Sequence, residues 1–216
     1  MTGIIIQSRL GSTRLPRKAF LFLGGKTIIE WVVDRCLETG FPVVLAVPED
    51  EGQEYKDVLR ERCCPIFEGH PTDVLDRYYE VAKAFNFDPI VRITGDCPLV
   101  DLNMIKAMVK EFKGGYLSNC HPIRTVPKGL DIEIFDFIQL NNAYKYTKPG
   151  YDCDSATSHY QREHVTPYFY INIDEDHYCK TYSPPFPASW STCIDTQEDY
   201  ERVKAMIEEG KYPWLN

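Results

Sequence analysis

Short, unbroken apolar runs alternate with amphipathic stretches over the first half of the chain, and no other property of the sequence narrows its fold as far. GIIIQ, residues 3–7, has no polar alternation, the pattern of a strand covered on both faces. TIIEWVVDRCLETG then sets Ile28, Ile29, Val32, Val33 and Leu37 at helical spacing, with Thr27 as cap and Gly40 as stop. FPVVLAVPED is a second buried strand. A helix near EGQEYKDVLRERC, a strand at PIFEG, a helix at DVLDRYYEVAKAF, a strand at PIVRITGD and a helix at LNMIKAMVKEF continue the alternation. Parallel strands need both faces covered and crossovers are right-handed. The expected fold is therefore α/β, three-layer and Rossmann-like, with a mostly parallel sheet over about the first 115 residues.

From Gly115 the pattern loosens into GYLSNC, GLDIEIF, a helix around DFIQLNNAYKY and a Tyr- and Pro-rich stretch, SHYQREHVTPYFYINIDEDHYCKTYSPPFP. Residues 120–190 read as an insertion in the C-terminal half. A strand at STCID and a helix at TQEDYERVKAMIEEG return to the main pattern. With 216 residues, the expected organisation is a single domain.

The formal net charge is -8 and the isoelectric point about 5.2, the wrong sign for a protein that tracks a polynucleotide along a basic face. No apolar run approaches the roughly 18 residues of a membrane span. Cysteines at 36, 63, 64, 97, 120, 153, 179 and 193 show no CxxC spacing, and Met1 leads straight into a strand. Reduced thiols and a cytoplasmic location are the expectation, with neither nucleic acid nor membrane as partner.

Against this acidic background Arg9, Arg14, Arg17 and Lys18 fall within RLGSTRLPRK, which contains no acid. Such a local field suits one small polyanion; a solvated basic loop is the plainer alternative. Two familiar phosphate devices are excluded by counting. FLFLGGKT ends like a P-loop at Gly25, Lys26 and Thr27, but Phe20 occupies the place of its first glycine, and RLGSTRLPRK lacks the GxGxxG spacing. What remains is a strand followed by R-x-G-S-T-R-L-P-x-K. Small residues let the backbone approach an anion, Arg9, Arg14 and Lys18 offer charge-assisted hydrogen bonds, and Pro16 stiffens the turn.

IIQSRLGSTRLPRK resembles the N-terminal signature of the cytidylyltransferase family, which includes enzymes that activate sugar acids. RITGDCPLVD, PKGLDIEIF and REHVTPYFY are similar to its spore-coat polysaccharide branch, in the same order and over nearly the whole chain. The resemblance implies a nucleotidyltransferase fold, a homodimer, Mg2+, and transfer of CMP from CTP to a small acceptor for surface polysaccharide or glycoconjugate synthesis. It places Gln7, Ser8, Arg9, Gly11, Ser12, Thr13, Arg14, Lys18, Thr94 and Gly95 around the nucleotide.

Asp96 follows a buried strand at the end where α/β sheets bind ligands, and its carboxylate suits Mg2+. The resemblance supplies Asp195, in CIDTQED, as the second metal carboxylate; a helix cap over Gln197 and Glu198 is the structural alternative. Asp73 and Arg77, in EGHPTDVLDRY, match the segment bordering the nucleobase, with an N-cap and a surface charge as their plainer readings. Acceptor binding is expected from Arg124, Lys128, Gly129, Leu130, Asp131, Glu133, Arg162, Glu163 and His164. Cys153, His159 and His164 fit no zinc spacing, and DED at Asp174 reads as a solvated turn. Two rival functions remain at this level. One is a glycosyltransferase of similar fold using a nucleotide sugar, although Thr94, Gly95 and Asp96 stand where a D-x-D is needed; the other is a non-catalytic nucleotide-binding protein.

Overall fold

β1 spans Gly3–Gln7, and its three isoleucines are shared between two cores: Ile4 and Ile6 on one side, Ile5 on the other, all fully buried. Burial of each side chain contributes about 1.5–3 kcal/mol, so a polar residue on either face would be rejected. The computed structural model describes residues 1–148, 155–172, 179–182 and 191–210. In it β1 lies at the centre of a sheet, parallel to β4 (Val43–Pro48) through Ile5↔Val44 and to β6 (Ile90–Thr94) through Ile5↔Arg92. Between β1 and β4 a small hairpin, β2 (Phe22–Leu23) and β3 (Lys26–Thr27), turns at Gly24 and Gly25, where the P-loop lookalike had been excluded.

The sheet runs β5 (Ile66–Gly69), β4, β1, β6, β8 (Glu133–Phe135), β7 (Tyr116–Ser118), β9 (Cys179–Thr181). β8 is antiparallel to both neighbours and β7 pairs parallel with β9. One face is covered by α1 (Ile28–Leu37), α2 (Gly52–Leu59), α4 (Leu102–Glu111) and α8 (Gln197–Glu208). The other is covered by α3 (Val74–Phe85), α5 (Phe137–Tyr146) and α7 (Pro167–Asn172), with α6 (Ser155–His164) against α3. The three-layer, mostly parallel α/β expectation holds.

Two expectations differ from the structure. The sheet does not stop near residue 115: β7, β8 and β9 extend it through the region read as an insertion. STCID forms no strand; Ser191 makes one isolated bridge to Lys128. Its backbone is used elsewhere, Thr192 N–H donating to Lys128 O (2.6 Å) and Ile194 N–H to Asp96 O (3.0 Å), which threads it between two crevice loops. The DED segment, Cys153 and part of the 120–190 stretch lie outside the described residues.

Candidate active site

Parallel strands β1 and β6 end together at Gln7 and Thr94, which face each other in register. Beyond them the chain leaves the sheet in two loops whose backbones stay joined: Gly95 N–H donates to Gln7 O at 2.8 Å. Gly95 is needed there because a Cβ would sit 2.8 Å from Ser8 Cβ and 3.0 Å from Gln7 O. Ser8 thus fills the space beside Gly95, and the glycine serves the closure of the two loops.

The basic loop after β1 is held by neutral and acidic groups of α2 and its cap. Ser8 Oγ and Tyr55 OH are 2.7 Å apart, and Leu10 N–H donates to Glu51 Oε2 at 2.7 Å. Burial pushes the Glu51 carboxyl up, partly opposed by that backbone hydrogen bond. Arg17 N–H donates to Leu10 O (3.1 Å), closing the loop. The Arg17 side chain turns away to an exposed pair with Glu54, so it leaves the cation cluster.

Lys18 opens a 3-10 turn at Lys18–Phe20 and points into the crevice. Its ammonium donates to Asp96 Oδ2 at 2.8 Å, Asp195 Oδ1 at 3.0 Å and Ile194 O at 2.8 Å. Lys128 Nζ lies 2.9 Å from Asp195 Oδ2, and Arg14 lies 3.3 Å from Asp195 Oδ1 with its side chain 64% exposed. Burial opposes the charge on Lys18, but Asp96 and Asp195 outweigh it and its pKa is raised. Burial would likewise raise the Asp195 carboxyl, but hydrogen bonds from Lys128 and Lys18 hold it well below the usual carboxylate range. Asp195 is not a helix cap: Thr196 caps α8 in a capping box with Asp199, and Asp195 N–H also donates to Asp199. The Asp195 carboxylate is thereby left for the crevice.

These groups line an open crevice of about 510 Å3. Gln7, Ser8, Arg9, Ser12, Thr13, Arg14, Lys18, Arg77, Thr94, Gly95, Asp96, Lys128, Asp131, Glu163, His164 and Asp195 all reach it. Arg9 and Glu163 approach to 3.7 Å across its rim. Asp131 is held bidentately by Arg124, at 2.5 and 2.8 Å. His164 has a lowered pKa because burial, together with Arg92 and Arg9, outweighs Glu163. Arg77 is buried, donating NH1 to His70 O at 2.5 Å, while its Nε and the Gln7 amide oxygen have no hydrogen-bond partner. Among the described residues, these two buried polar atoms on one crevice wall lack a protein partner.

Gly11, Asp73, Arg124, Gly129, Leu130, Glu133 and Arg162 are not on that wall. Asp73 caps α3, accepting from Asp76 N–H at 2.9 Å, and takes Arg162 Nε at 2.5 Å. This pair lines a neighbouring cavity of about 540 Å3 with His70, Thr72, Lys148, Ser158 and His159. Leu130 is fully buried in the core. Gly129 has φ +101°, and a Cβ there would fall 2.3 Å from Cys193 N, so it packs the Lys128 loop against the 191–195 segment. Glu133 lies inside the sheet, its two oxygens taken by Arg92 and the Tyr116 hydroxyl.

A family model described as cytidylyltransferase matches residues 3–212. The chain belongs to that family. An uncharacterized protein of Methanocaldococcus jannaschii is 34% identical over 174 residues, covering 78% of this chain and 66% of that one. The spore coat polysaccharide biosynthesis protein SpsF of Bacillus subtilis is 30% identical over 217 residues, covering 95% of this chain and 86% of SpsF. Among solved structures, a cytidylyltransferase from Leptospira borgpetersenii has a TM-score of 0.85 at 34% identity, covering 96% of this chain and 87% of that one. CMP:2-keto-3-deoxy-manno-octonic acid synthetase complexed with CTP shares the fold, with a TM-score of 0.71 at 17% identity over 97% of this chain and 100% of that one.

Sequence reasoning missed Ala19, Val74, Cys97 and Cys193 on the crevice wall. The two cysteines were within reach of it, since Cys97 follows Asp96 and Cys193 precedes Asp195 by two residues. Glu51 and Tyr55, which hold the basic loop, carried no signal, because their role depends on α2 packing beside β1.

Proposed function

We propose that the protein transfers CMP from CTP to a small anionic acceptor, with release of pyrophosphate, in a reaction that depends on a divalent cation. The observation that carries this reading is the meeting of Asp96 and Asp195 on one ammonium, 2.8 and 3.0 Å from Lys18 Nζ, inside a crevice ringed by further cations. A single cationic point already bridges both carboxylates, and hard oxygen donors of this kind suit Mg2+ with phosphate oxygens and water. Asp96 and Asp195 would hold that ion, which would supply charge neutralisation at the α-phosphate.

In this reading Arg9, Arg14, Lys18 and Lys128 take the phosphates. The acceptor oxygen forms a bond to the α-phosphorus as the bridging bond to the β-phosphate breaks, and the cations stabilise the departing pyrophosphate. Arg14 is exposed and Lys18 is shared between carboxylates, so both can turn to phosphate when the nucleotide and metal enter. The Gln7 amide oxygen and Arg77 Nε, an acceptor and a donor, complement a base edge carrying one amino donor beside a ring-nitrogen and a carbonyl acceptor, as cytosine's does. Lys128, Asp131, Glu163 and His164 stand where an acceptor would approach.

SpsF is named for spore coat polysaccharide biosynthesis, which supports a sugar-derived acceptor destined for a surface glycoconjugate. Ile138, Tyr146, Tyr160 and Ile171 are 67%, 51%, 49% and 58% exposed on α5, α6 and α7, which supports a homodimer through these helices; a monomer in sedimentation at micromolar concentration would remove that part. Among the described residues, no helix is long and apolar enough to cross a membrane.

The test is incubation with CTP, Mg2+ and a panel of sugar acids, phosphonates and phosphorylated polyols, followed by pyrophosphate assay and mass spectrometry. Acceptor-dependent pyrophosphate with a CMP adduct is expected. Sugar transfer without pyrophosphate in a parallel incubation with nucleotide sugars points to a glycosyltransferase, and CTP binding without product to a sensor.

A further inference from the structure

The crevice floor carries two thiols that the proposed reaction does not use. Cys97 and Cys193 are 2% and 6% exposed, and both face the cavity. One ligand atom each from Asp96, Cys97 and Cys193 lies within 4.8 Å of the others. Cys97 Sγ is 3.6 Å from Asp96 Oδ1, while Asp96 Oδ2 is the oxygen engaged by Lys18. Oδ1 therefore looks toward sulfur, not toward the ammonium. The three residues come from two segments tied by the hydrogen bond from Ile194 N–H to Asp96 O at 3.0 Å, so their spacing is set by backbone.

A tetrahedral ion with metal–sulfur bonds of about 2.3 Å holds its sulfurs about 3.8 Å apart, so a shift of about 1 Å or less completes the set. A second group of three potential ligands, Cys120, His121 and Glu133, contrasts with it, because both Glu133 oxygens are engaged by Arg92 and Tyr116. Two thiols and a carboxylate oxygen are a poor set for Mg2+ and a good one for a soft divalent ion.

We propose that Asp96, Cys97 and Cys193 form a thiophilic cation site, taking an ion of the Zn2+ or Cd2+ class through two thiolates and one carboxylate oxygen. Binding displaces both thiol protons to solvent and leaves a fourth position open to water or a phosphate oxygen. That Asp96 is thereby withdrawn from the Mg2+ of the reaction, so that the soft ion inhibits, rests on the function proposed above; the site itself does not.

The intact protein, kept reduced with a phosphine, is titrated with Cd2+ alone and followed by the ultraviolet thiolate-to-cadmium absorption. One tight equivalent should saturate a band that is lost in Cys97→Ser/Cys193→Ser and kept in Cys63→Ser. The same band in a folded double variant overturns the site. Cadmium NMR of the unaltered chain gives an answer if the double variant does not fold. A resonance in the two-thiolate range is expected, and signals in the all-oxygen range alone overturn the proposal. Zn2+ added to the Mg2+–CTP reaction should then abolish turnover, with recovery on chelation but not on excess Mg2+. A saturated band with turnover unchanged overturns the inhibition and removes Asp96 from the reacting centre while leaving the soft-ion site in place.

Discussion

Strand β6 serves two carboxylate–cation sets that look alike in sequence and differ in structure. In the middle of the strand Arg92 pairs with Glu133 of β8, directly opposite in register, and both are enclosed by the sheet and its helices. Just past its end, Asp96 meets Lys18 with side chains 23% and 15% exposed, and Asp195 gathers Lys18, Lys128 and Arg14. In the first set both carboxylate oxygens have protein partners. In the second, three cations share two carboxylates, which leaves the crevice a net positive charge that suits an anion. Both glutamate and aspartate were singled out from sequence as site residues. Their position along the strand separates an ion pair enclosed in the sheet from one that lines the crevice.

Removing the enclosed partner should produce the largest change. Glu133→Gln leaves Arg92 buried and uncompensated, so unfolding free energy should fall by about 3 kcal/mol or more. Chemical denaturation measures it, and the KM for acceptor in the folded fraction should stay constant. A raised KM with unchanged stability would return Glu133 to the acceptor site.

Asp96→Asn inverts that pattern. Turnover of CTP should drop by about a hundredfold or more, corresponding to about 2.7 kcal/mol at the transition state. The melting temperature should move by only a few degrees, because Lys18 keeps Asp195 and Ile194 O as partners. Near-normal turnover would sink the metal assignment. Lys18→Met comes next: CTP affinity should weaken about tenfold, or about 1.4 kcal/mol, with some loss of stability as two half-buried carboxylates lose their shared cation. Equilibrium binding and a melting curve on one preparation read both.

The smallest effect belongs to a third ionic group, none of whose members lines the crevice. Asp34 binds Arg62 (2.5 and 3.1 Å) and Lys26 (2.7 Å), while Arg62 also meets Glu30 at 2.8 Å. Burial would raise the Asp34 carboxyl, but Arg62 and Lys26 bring it below its ordinary 3.8. The folded pKa is depressed, so the contribution is complete above pH 3.8 and is lost as pH falls through the folded value. Arg62→Ala should remove about 1 kcal/mol at neutral pH and flatten the acid limb of stability, leaving turnover alone. An unchanged acid limb would contradict this.

Most of the fold could be read because its elements obey one period each. β1, β4, β6 and their helices carry unbroken or helical apolar patterns, and the structure follows them. α6 escaped because its buried face includes Ser158 and Gln161, 3% and 4% exposed, so polar residues hide the stripe; Ser158 Oγ is satisfied by donating to Thr147 O. STCID looked like a strand because Cys193 and Ile194 are buried, but its backbone hydrogen bonds go to crevice loops. At the site, the strand-end carboxylate and the basic loop were legible because sequence neighbours stay neighbours. Glu133 and Arg162 lie off the crevice wall, a placement the sequence could not show because a polar residue beside a conspicuous motif does not disclose which way its strand or helix faces. The sharing of Lys18 by two carboxylates was out of reach, since it joins three distant segments.

Whether the cations around Asp96 and Asp195 are arranged for a triphosphate and its metal is tested most directly by calorimetric titration of the unaltered protein with CTP and with CMP, each with Mg2+. CTP should bind at least about a hundredfold more tightly, about 2.7 kcal/mol, because only it reaches Arg14, Lys18 and Lys128 with the charged oxygens of a triphosphate. Equal affinities for the two nucleotides would contradict it.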